Sequence, residues 1–558
     1  MSSSLTNIAA SGIQAAQIAL NTVGNNISNE PVAGYNEEKT QLSESLGSGL
    51  SGNGVTVTGV TRVYDSLVVS QLQTASATAD ATTTYYNQVS QIDDMLSTSD
   101  TDLSSAMSTF FTSIQSMSSN ASDTSARQTV IGSAGSMVDQ FQSAATYLQS
   151  MGTSVNQQVS TSAAEINNYT KEIASLNSEI VSSGGSQAPN SLLDQRDELV
   201  SELNGIVGVT SSVQDNGSVN LTFANGMTLV QGSSAYQVQA VPSSADASKT
   251  VLAYDRGTGT PVQINDASIT TGSLGGLLSF RDGALTDATN ALGQLALSLA
   301  SNMNQTNEAG VDLNGDAGSA FFTYADPTVT ANSKNSGTAQ ASATYDGDNT
   351  DQVQASQYQV KYVNGNWQVT QSSTGTVLAA ADVQQVTDST TGVTTLTFDG
   401  LNVAVTGTPA NNDSFTVDPV SNVIGSMKVA ITDPGDIAAG LPDDDDDGTE
   451  TGASDNRNAE NMLALQNDQI VGGSATLSTA YATLVSNVGT ETSNAEVTST
   501  AQANIVTALT NQQQSSSGVN LDDEYIDLTR YQQYYQANAQ VISTASDLFN
   551  SLLSAVAG

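Results

Sequence analysis

The chain has 558 residues, with 55 acidic side chains against 13 Lys and Arg, a net charge of −42, and neither Cys nor His. Its length is too great for one compact core, so three or four domains are expected. The charge excludes nucleic acid and anionic lipid as partners, while the two missing residue types exclude disulfides, thiol chemistry and the usual zinc ligands and general base.

Charged residues are only 12% of the chain, so much of the solvated surface is Ser, Thr, Asn, Gln and Gly. No segment reaches the roughly 18 continuous apolar residues of a membrane span, and no membrane insertion is expected. The first basic residue is Lys39, which leaves the N-terminus without a positively charged leader. The chain is expected to stay in the cytoplasm or to leave by a route that keeps its N-terminus.

In chain order, the first 29 residues carry no charge, and Leu5, Ile8, Gly12, Ala16, Leu20, Val23 and Ile27 line one helical face. A second stripe runs Val89, Ile92, Leu96, Leu103, Met107, Phe110, Ile114 and Met117. A longer one, Val155, Val159, Ser162, Ile166, Tyr169, Ile173, Leu176 and Ile180, predicts a helix of many turns. SSGGSQAPN (182–190) breaks it, and SLLDQRDELVSEL opens a short helix capped by Asn190 or Ser191.

From 206 to 271 the period changes to two. Val219, Leu221 and Phe223 alternate between DNG and ANG turns, which predicts hairpins. Leu285, Leu292, Leu295, Leu299 and Met303 mark another helix. DLNGDAG (312–318) resembles a calcium loop, but Ala317 sits where the turn glycine belongs and Thr323 where the bidentate Glu belongs, so a solvated turn is expected. From 321 to 433, QYQVKYVNGNWQV and TTLTFDGLNVAV predict a second antiparallel β region. PDDDDDG (442–448) predicts a hydrated linker, and 462–514 returns to helix through Leu477, Tyr481, Leu484 and Val488.

The C-terminal stretch alternates steps of four and three through Leu521, Tyr525, Leu528, Gln532, Tyr535, Ala539, Ile542, Ser546, Phe549, Leu553 and Val556. That is a heptad seam. RYQQYYQANAQV (530–541) places Tyr531 and its neighbours among glutamines, and after Arg530 the only charged residue is Asp547. The backs of both terminal helices are neutral. Neutral faces can pack against copies of themselves, where rows of like charge would repel, and tyrosine buries its ring there while keeping a hydrogen bond. The two ends are therefore expected to be an assembly surface. No residue pair asks for catalysis; no enzyme, no cofactor and no metal site is expected.

ALNTVGNNISNEPVAGY, with Asn25-Asn26-Ile27 followed by Gly34-Tyr35, resembles the signature of bacterial flagellar rod, hook and hook-associated proteins. SGVNLDDEYIDLTRYQQYYQANAQVISTASDLFNSLL resembles their C-terminal signature. TGSLGGLLSFRDGAL (271–285), NEAGVDLNGDAGSAFF and DNRNAENMLALQN (455–467) are more specifically similar to the hook–filament junction members. The loop departs from that pattern at Val32 and at Asn36-Glu37-Glu38.

The resemblance implies a multidomain α+β fold: a discontinuous terminal coiled coil, a long helical bundle, and inserted antiparallel β domains. The expected division is 1–60 with 518–558 for the terminal pair and its linker, 61–205 with 272–318 and 453–517 for the bundle, 206–271 for one β domain, and 319–452 for a second β domain or an extension with the acidic linker. It implies a structural subunit of the ring between hook and filament, located outside the cell and exported by the flagellar type III apparatus after binding a cytoplasmic chaperone. Its partners would be its own copies, the hook protein and the second junction protein. The assembly residues would be Leu5, Ile8, Ala16, Leu20, Val23, Asn25, Asn26, Ile27, Gly34 and Tyr35 at one end. At the other they would be Tyr525, Leu528, Tyr531, Tyr535, Ala539, Ile542, Phe549 and Leu553. A hook or distal-rod subunit shares both terminal signatures, and a secreted β-rich adhesin is the rival from another class.

Overall fold

The computed structural model describes residues 2–32, 34–45, 53–97, 103–184, 189–257, 259–442 and 452–557. The acidic run expected to be a linker lies outside the described residues. The chain starts with helix α1 (Ser2–Asn29), then a hairpin of β1 (Glu38–Glu44) and β2 (Val55–Arg62). Four helices follow: α2 (Ser66–Ser97), α3 (Leu103–Ser118), α4 (Thr124–Ser182) and α5 (Asn190–Ile206). The stripe from Val89 to Met117 is thus shared between α2 and α3.

Helix α4 runs for 59 residues and starts where the Asp123 carboxylate accepts from the Ser125 amide. Its face from Val130 through Phe141, Val155, Val159, Ile166 and Ile173 to Ile180 is fully buried. The cap expected for α5 is not there. Pro189 takes the N-cap position, and the Asn190 amide instead donates to Glu38 Oε1 at 3.0 Å and to the Val60 carbonyl at 3.1 Å. Asn190 is the first residue of the helix itself, and its side chain is engaged by the hairpin.

The first β region holds two antiparallel sheets. One is ordered β3 (Thr210–Val213), β4 (Val219–Phe223), β5 (Met227–Gln231) and β6 (Ser234–Ala235). The other is ordered β7 (Gln237–Pro242), β8 (Thr250–Asp255) and β9 (Val262–Gln263). The expected ANG turn carries Ala224, Asn225 and Gly226 at φ of 38°, 62° and 89°. Three asparagines on α4 rivet these sheets to the helix. Asn156 donates to the Ser248 carbonyl and accepts from the Thr250 amide, and Asn167 grips both the amide and the carbonyl of Val238. Asn177 donates to the carbonyls of Val219 and Gly232 and accepts from the Val219 amide. The side-chain amide stands in for a neighbouring strand, so at these three points the sheets meet α4 through neutral groups.

The return begins with α6 (Gly272–Phe280), passes a π turn at Arg281–Leu285 and continues as α7 (Thr286–Glu308). A Cβ on Gly276 would lie 2.3 Å from the Ala81 carbonyl, so α6 crosses α2 at backbone contact. Buried Arg281 ties the turn to the first β region through the Thr250 carbonyl and Asp266, each at 2.6 Å. DLNGDAG is the expected turn: Asp312 Oδ1 accepts from the amides of Asn314 and Asp316.

Strand β10 (Phe322–Thr323) then leads into the second β region. Its strands are β11 (Thr328–Ala331), β12 (Gln340–Tyr345), β13 (Tyr358–Val363), β14 (Asn366–Gln371), β15 (Thr376–Val377), β16 (Gln384–Thr387), β17 (Thr394–Phe398), β18 (Leu401–Thr406) and β19 (Ser414–Asp418). They form two antiparallel sheets, ordered β11-β19-β13-β14-β15 and β12-β18-β17-β16. Alternate residues, among them Tyr358, Val360, Leu396, Val403, Phe415 and Val417, are buried between them.

After α8 (Val423–Ser426) and β20 (Lys428–Val429), which pairs with β10, come α9 (Arg457–Ala464), α10 (Leu477–Ser517) and α11 (Leu521–Ala557). The helical pattern from Met462 is therefore interrupted, by a tight loop with Gly472 and Gly473 at φ of 59° and 64°. Helix α10 runs antiparallel to α2, since Ser499 meets Thr83, Glu491 meets Tyr85 and Tyr481 meets the Leu96 carbonyl. Arg127 at the start of α4 is 2% exposed and donates to the backbone carbonyls of Ala121, Pro434 and Ile437, binding chain distant in sequence. One contiguous core runs through the bundle and both β regions. This is the expected α+β class.

Candidate assembly interface

Helices α1 and α11 lie side by side and antiparallel. A Cβ on Gly12 would sit 2.5 Å from Asn538 Oδ1, and Asn26 Nδ2 donates to Glu524 Oε1 at 2.7 Å. Gly12 and Asn26 are two heptads apart, as are Glu524 and Asn538, so both contacts belong to one register. The buried residues of α1 at that spacing are small: Ala9, Ala16, Ala19, then Val23 and Asn26. Facing them on α11 are Glu524, Leu528, Tyr531, Tyr535, Asn538, Ile542 and Ala545, of which Glu524 and Ala545 are buried. A second face of α1 meets the hairpin. The Val55 amide donates to Ser11 Oγ at 3.2 Å, and the hydroxyls of Thr40 and Thr22 are 3.1 Å apart.

The residues expected from sequence divide between inside and outside. Ala16, Val23 and Asn26 are buried, while Ile8, Leu20, Ile27, Tyr35, Leu528, Tyr531 and Ile542 are half-buried. Leu5, Asn25, Gly34, Tyr525, Tyr535, Ala539, Phe549 and Leu553 are exposed. The expected α11 seam is therefore largely an outward face; only Leu528, Tyr535 and Ile542 belong also to the side meeting α1. Helical periodicity fixes a stripe but not the body it meets. Small residues let two axes approach closely, which is why alanines rather than Leu5 and Leu20 fill the contact. Glu524 and Asn538 fit no apolar template and were missed. The available signal was the Ala9–Gly12–Ala16–Ala19 spacing, with a glycine in mid-helix.

In this register Ala545 stands opposite Leu5, and α11 continues to Ala557. Leu548, opposite the first residue of α1, and Phe549, Leu552, Leu553 and Val556 in the projection beyond it are all more than half exposed. Tyr525, Ile526 and Tyr534 extend the apolar outer face toward the helix start.

Residues 89–322 match the model of the flagellar hook-associated protein FlgK helical domain, 330–419 the flagellar hook-associated protein 1 D2-like domain, and 510–555 the flagellar basal body rod FlgEFG protein C-terminal region. Flagellar hook-associated protein 1 of Escherichia coli (strain K12) is 48% identical over 99% of each chain. The chain belongs to the flagellar hook-associated protein 1 family. The protein of that name from Salmonella typhimurium (strain LT2) is 47% identical, again over 99% of each chain. The structure of the flagellar hook junction protein FlgK from Burkholderia pseudomallei superposes with a TM-score of 0.73 at 27% identity, covering 80% of this chain and 100% of that one. The hook-associated protein 1 family is structural, not enzymatic, and the chain is a structural part of the flagellum.

In this member of the family Asn26 is the centre of the joint between terminal pair and body. Its Nδ2 donates to the Glu38 carbonyl at 2.9 Å as well as to Glu524, and its Oδ1 accepts from Tyr35 Oη at 2.8 Å and the Glu38 amide at 3.0 Å. Gly34, at φ 77°, turns the chain so that Tyr35 comes back over the helix. Burial raises the Tyr35 phenol well above its ordinary pKa, helped by the carboxylates of Glu38, Asp194 and Glu524. Burial also raises Glu524, against the lowering effect of the Asn26 hydrogen bond.

The unusual Asn36-Glu37-Glu38 run makes the remaining ties. Asn36 donates to Asp194 at 2.7 Å, the Glu37 amide to the Ser517 carbonyl at 2.9 Å, and Glu38 accepts from Asn190. Below it, Arg62 bridges Asp194 and Asp197 on α5, both at 2.7 Å. Burial works against that guanidinium, but Asp197 and Asp194 outweigh it and hold its pKa above the ordinary value. Among the described residues no helix is long and apolar enough to cross a membrane, and no group of His, Cys, Asp or Glu could hold a metal ion.

Proposed function

We propose that the chain is the subunit of the ring joining the flagellar hook to the filament, assembling through α1 and α11 with its own copies. The hook protein lies on one side and the second junction protein on the other. The observation that carries this reading is the outer face of α11: a tyrosine-bearing apolar stripe that its own chain leaves uncovered and that, after Arg530, carries the single charge of Asp547. A free surface of that kind favours contact with another protein, and its scarcity of charge beyond Arg530 suits repeated contact between copies.

In this reading the exposed Tyr525, Tyr535, Ala539, Phe549 and Leu553 meet neighbouring subunits. Ala16, Val23 and Asn26 hold the pair together, and Asn25, Gly34 and Tyr35 join it to the body. The working division is 1–60 with 518–558 for the terminal pair, 61–205, 272–318 and 453–517 for the bundle, and 206–271 and 319–452 for the outward β domains. The subunit reaches the cell exterior through the flagellar type III apparatus without a cleaved signal, after a cytoplasmic chaperone has held its C-terminal region.

Electron microscopy of a deletion strain, with an assay of flagellin in the medium, tests the reading. Hooks without filaments and flagellin lost to the medium are expected. Missing hooks would mean a rod or hook subunit instead, and intact flagella would mean a secreted adhesin.

A further inference from the structure

The apolar packing of the α1–α11 seam by itself does little to fix the alignment of the two helices. Sliding α11 by one heptad sets Tyr531, Tyr535 or Ile542 against a different alanine, which is nearly the same packing. Two polar contacts are not interchangeable in this way. Asn538 lies in the space that Gly12 leaves by lacking a side chain, and Glu524, 4% exposed, is held by Asn26. A slip in one direction puts Asn538 on Ala19 and Asn26 on Tyr531; a slip in the other puts Asn538 on Leu5 and Glu524 on Ala19. Either way a buried carboxylate loses its partner and the Asn538 amide meets a Cβ where the glycine had been. Glycine is a poor residue for mid-helix, and here it makes the hole for that amide.

We propose that Asn538 and Glu524 are register-determining residues, which select this antiparallel alignment among the heptad-related ones and so set the length of apolar α11 that projects beyond the start of α1. The proposal rests on the assembly reading above, because that projection is what a neighbouring copy would meet. The two residues act through Gly12 and Asn26 and need not touch the neighbour themselves.

The chain has no Cys, so two introduced cysteines report alone. Ala16→Cys with Tyr535→Cys probes the observed register; Ala16→Cys with Leu528→Cys or with Ile542→Cys probes the two one-heptad slips. Each pair is oxidised in isolated flagella, and bridges within one chain are separated from those between chains by mass. The native background is expected to bridge only 16–535. Adding Glu524→Leu with Asn538→Leu, which keeps the seam apolar, raises the slipped products about tenfold or more. Glu524→Gln, which still accepts from Asn26, keeps the native pattern.

Slipped bridges in the native background overturn the proposal, as does a Leu/Leu chain that bridges only 16–535. Loss of every bridge in the Leu/Leu chain overturns it too, since the contacts would then hold the helices together instead of choosing their register. A chain absent from flagella altogether fails the assembly reading, and the same oxidation of the purified full chain still decides the register.

Discussion

Replacing Asn177 by Ala should loosen the first β region from α4 while the second keeps its stability. Asn177 is fully buried, donates to the carbonyls of Val219 and Gly232 at 2.8 Å each, and accepts from the Val219 amide at 2.9 Å. The change strands three backbone groups, each costing about 1–3 kcal/mol when left unpaired, so about 4 kcal/mol is expected after partial relaxation. That corresponds to roughly a thousandfold larger opening constant. Hydrogen exchange on the full chain reads it directly, with β4 and Gly232 as reporters and β13 and β19 as internal reference. The single Trp, Trp367, sits on β14, so fluorescence follows the second β region separately.

Asn177→Asp sharpens the test. It keeps an acceptor for the Val219 amide but turns a carboxylate toward two carbonyls. Such a buried acid has a raised folded pKa, so its penalty is largest at neutral pH and shrinks as pH falls through that pKa. The Ala variant carries no such pH term. A loss below about 1 kcal/mol at β4, or an equal loss in both β regions, would refute the reasoning.

Asp413 accepts from the amides of Ser336, Gly337 and Ala410; burial pushes its carboxyl up, but those three bonds outweigh burial and hold the pKa below the ordinary range. Its contribution is present above the unfolded pKa and lost as pH falls through the folded one, so the Trp367 transition should weaken in acid, and Asp413→Asn should remove that leg of the pH profile. Asn26→Ala strands Glu524 and the Glu38 peptide groups, at about 3 kcal/mol or more, and should leak flagellin to the medium; normal motility would count against Asn26 as the joint. Phe549→Glu with Leu553→Glu places two charges on the outer face of α11 and should spare hydrogen-exchange protection in the body while abolishing incorporation into flagella. Incorporation at the native level would sink the role given to that face.

The amino-acid sequence by itself determined the helices, the hairpin regions and the uncharged ends, because apolar spacing and turn chemistry act over neighbouring residues. The stripes of α3, α4 and α7 were legible for that reason, as was the alternation from Val219 to Phe223. It also carried the family signature at both termini. The Asn190 cap failed because Pro189 takes the N-cap position and Glu38 and Val60, distant in sequence, hold the Asn190 side chain. The asparagine rivets were illegible in a chain where Asn is common on the surface, since nothing local marks the three on α4 that hold the first β region.

The α1–α11 contact was decided only by the tertiary structure. A heptad stripe has several neighbouring faces of similar hydrophobicity, and what picks one is the partner's shape: a row of alanines, a glycine hole and one amide placed to hold a buried carboxylate.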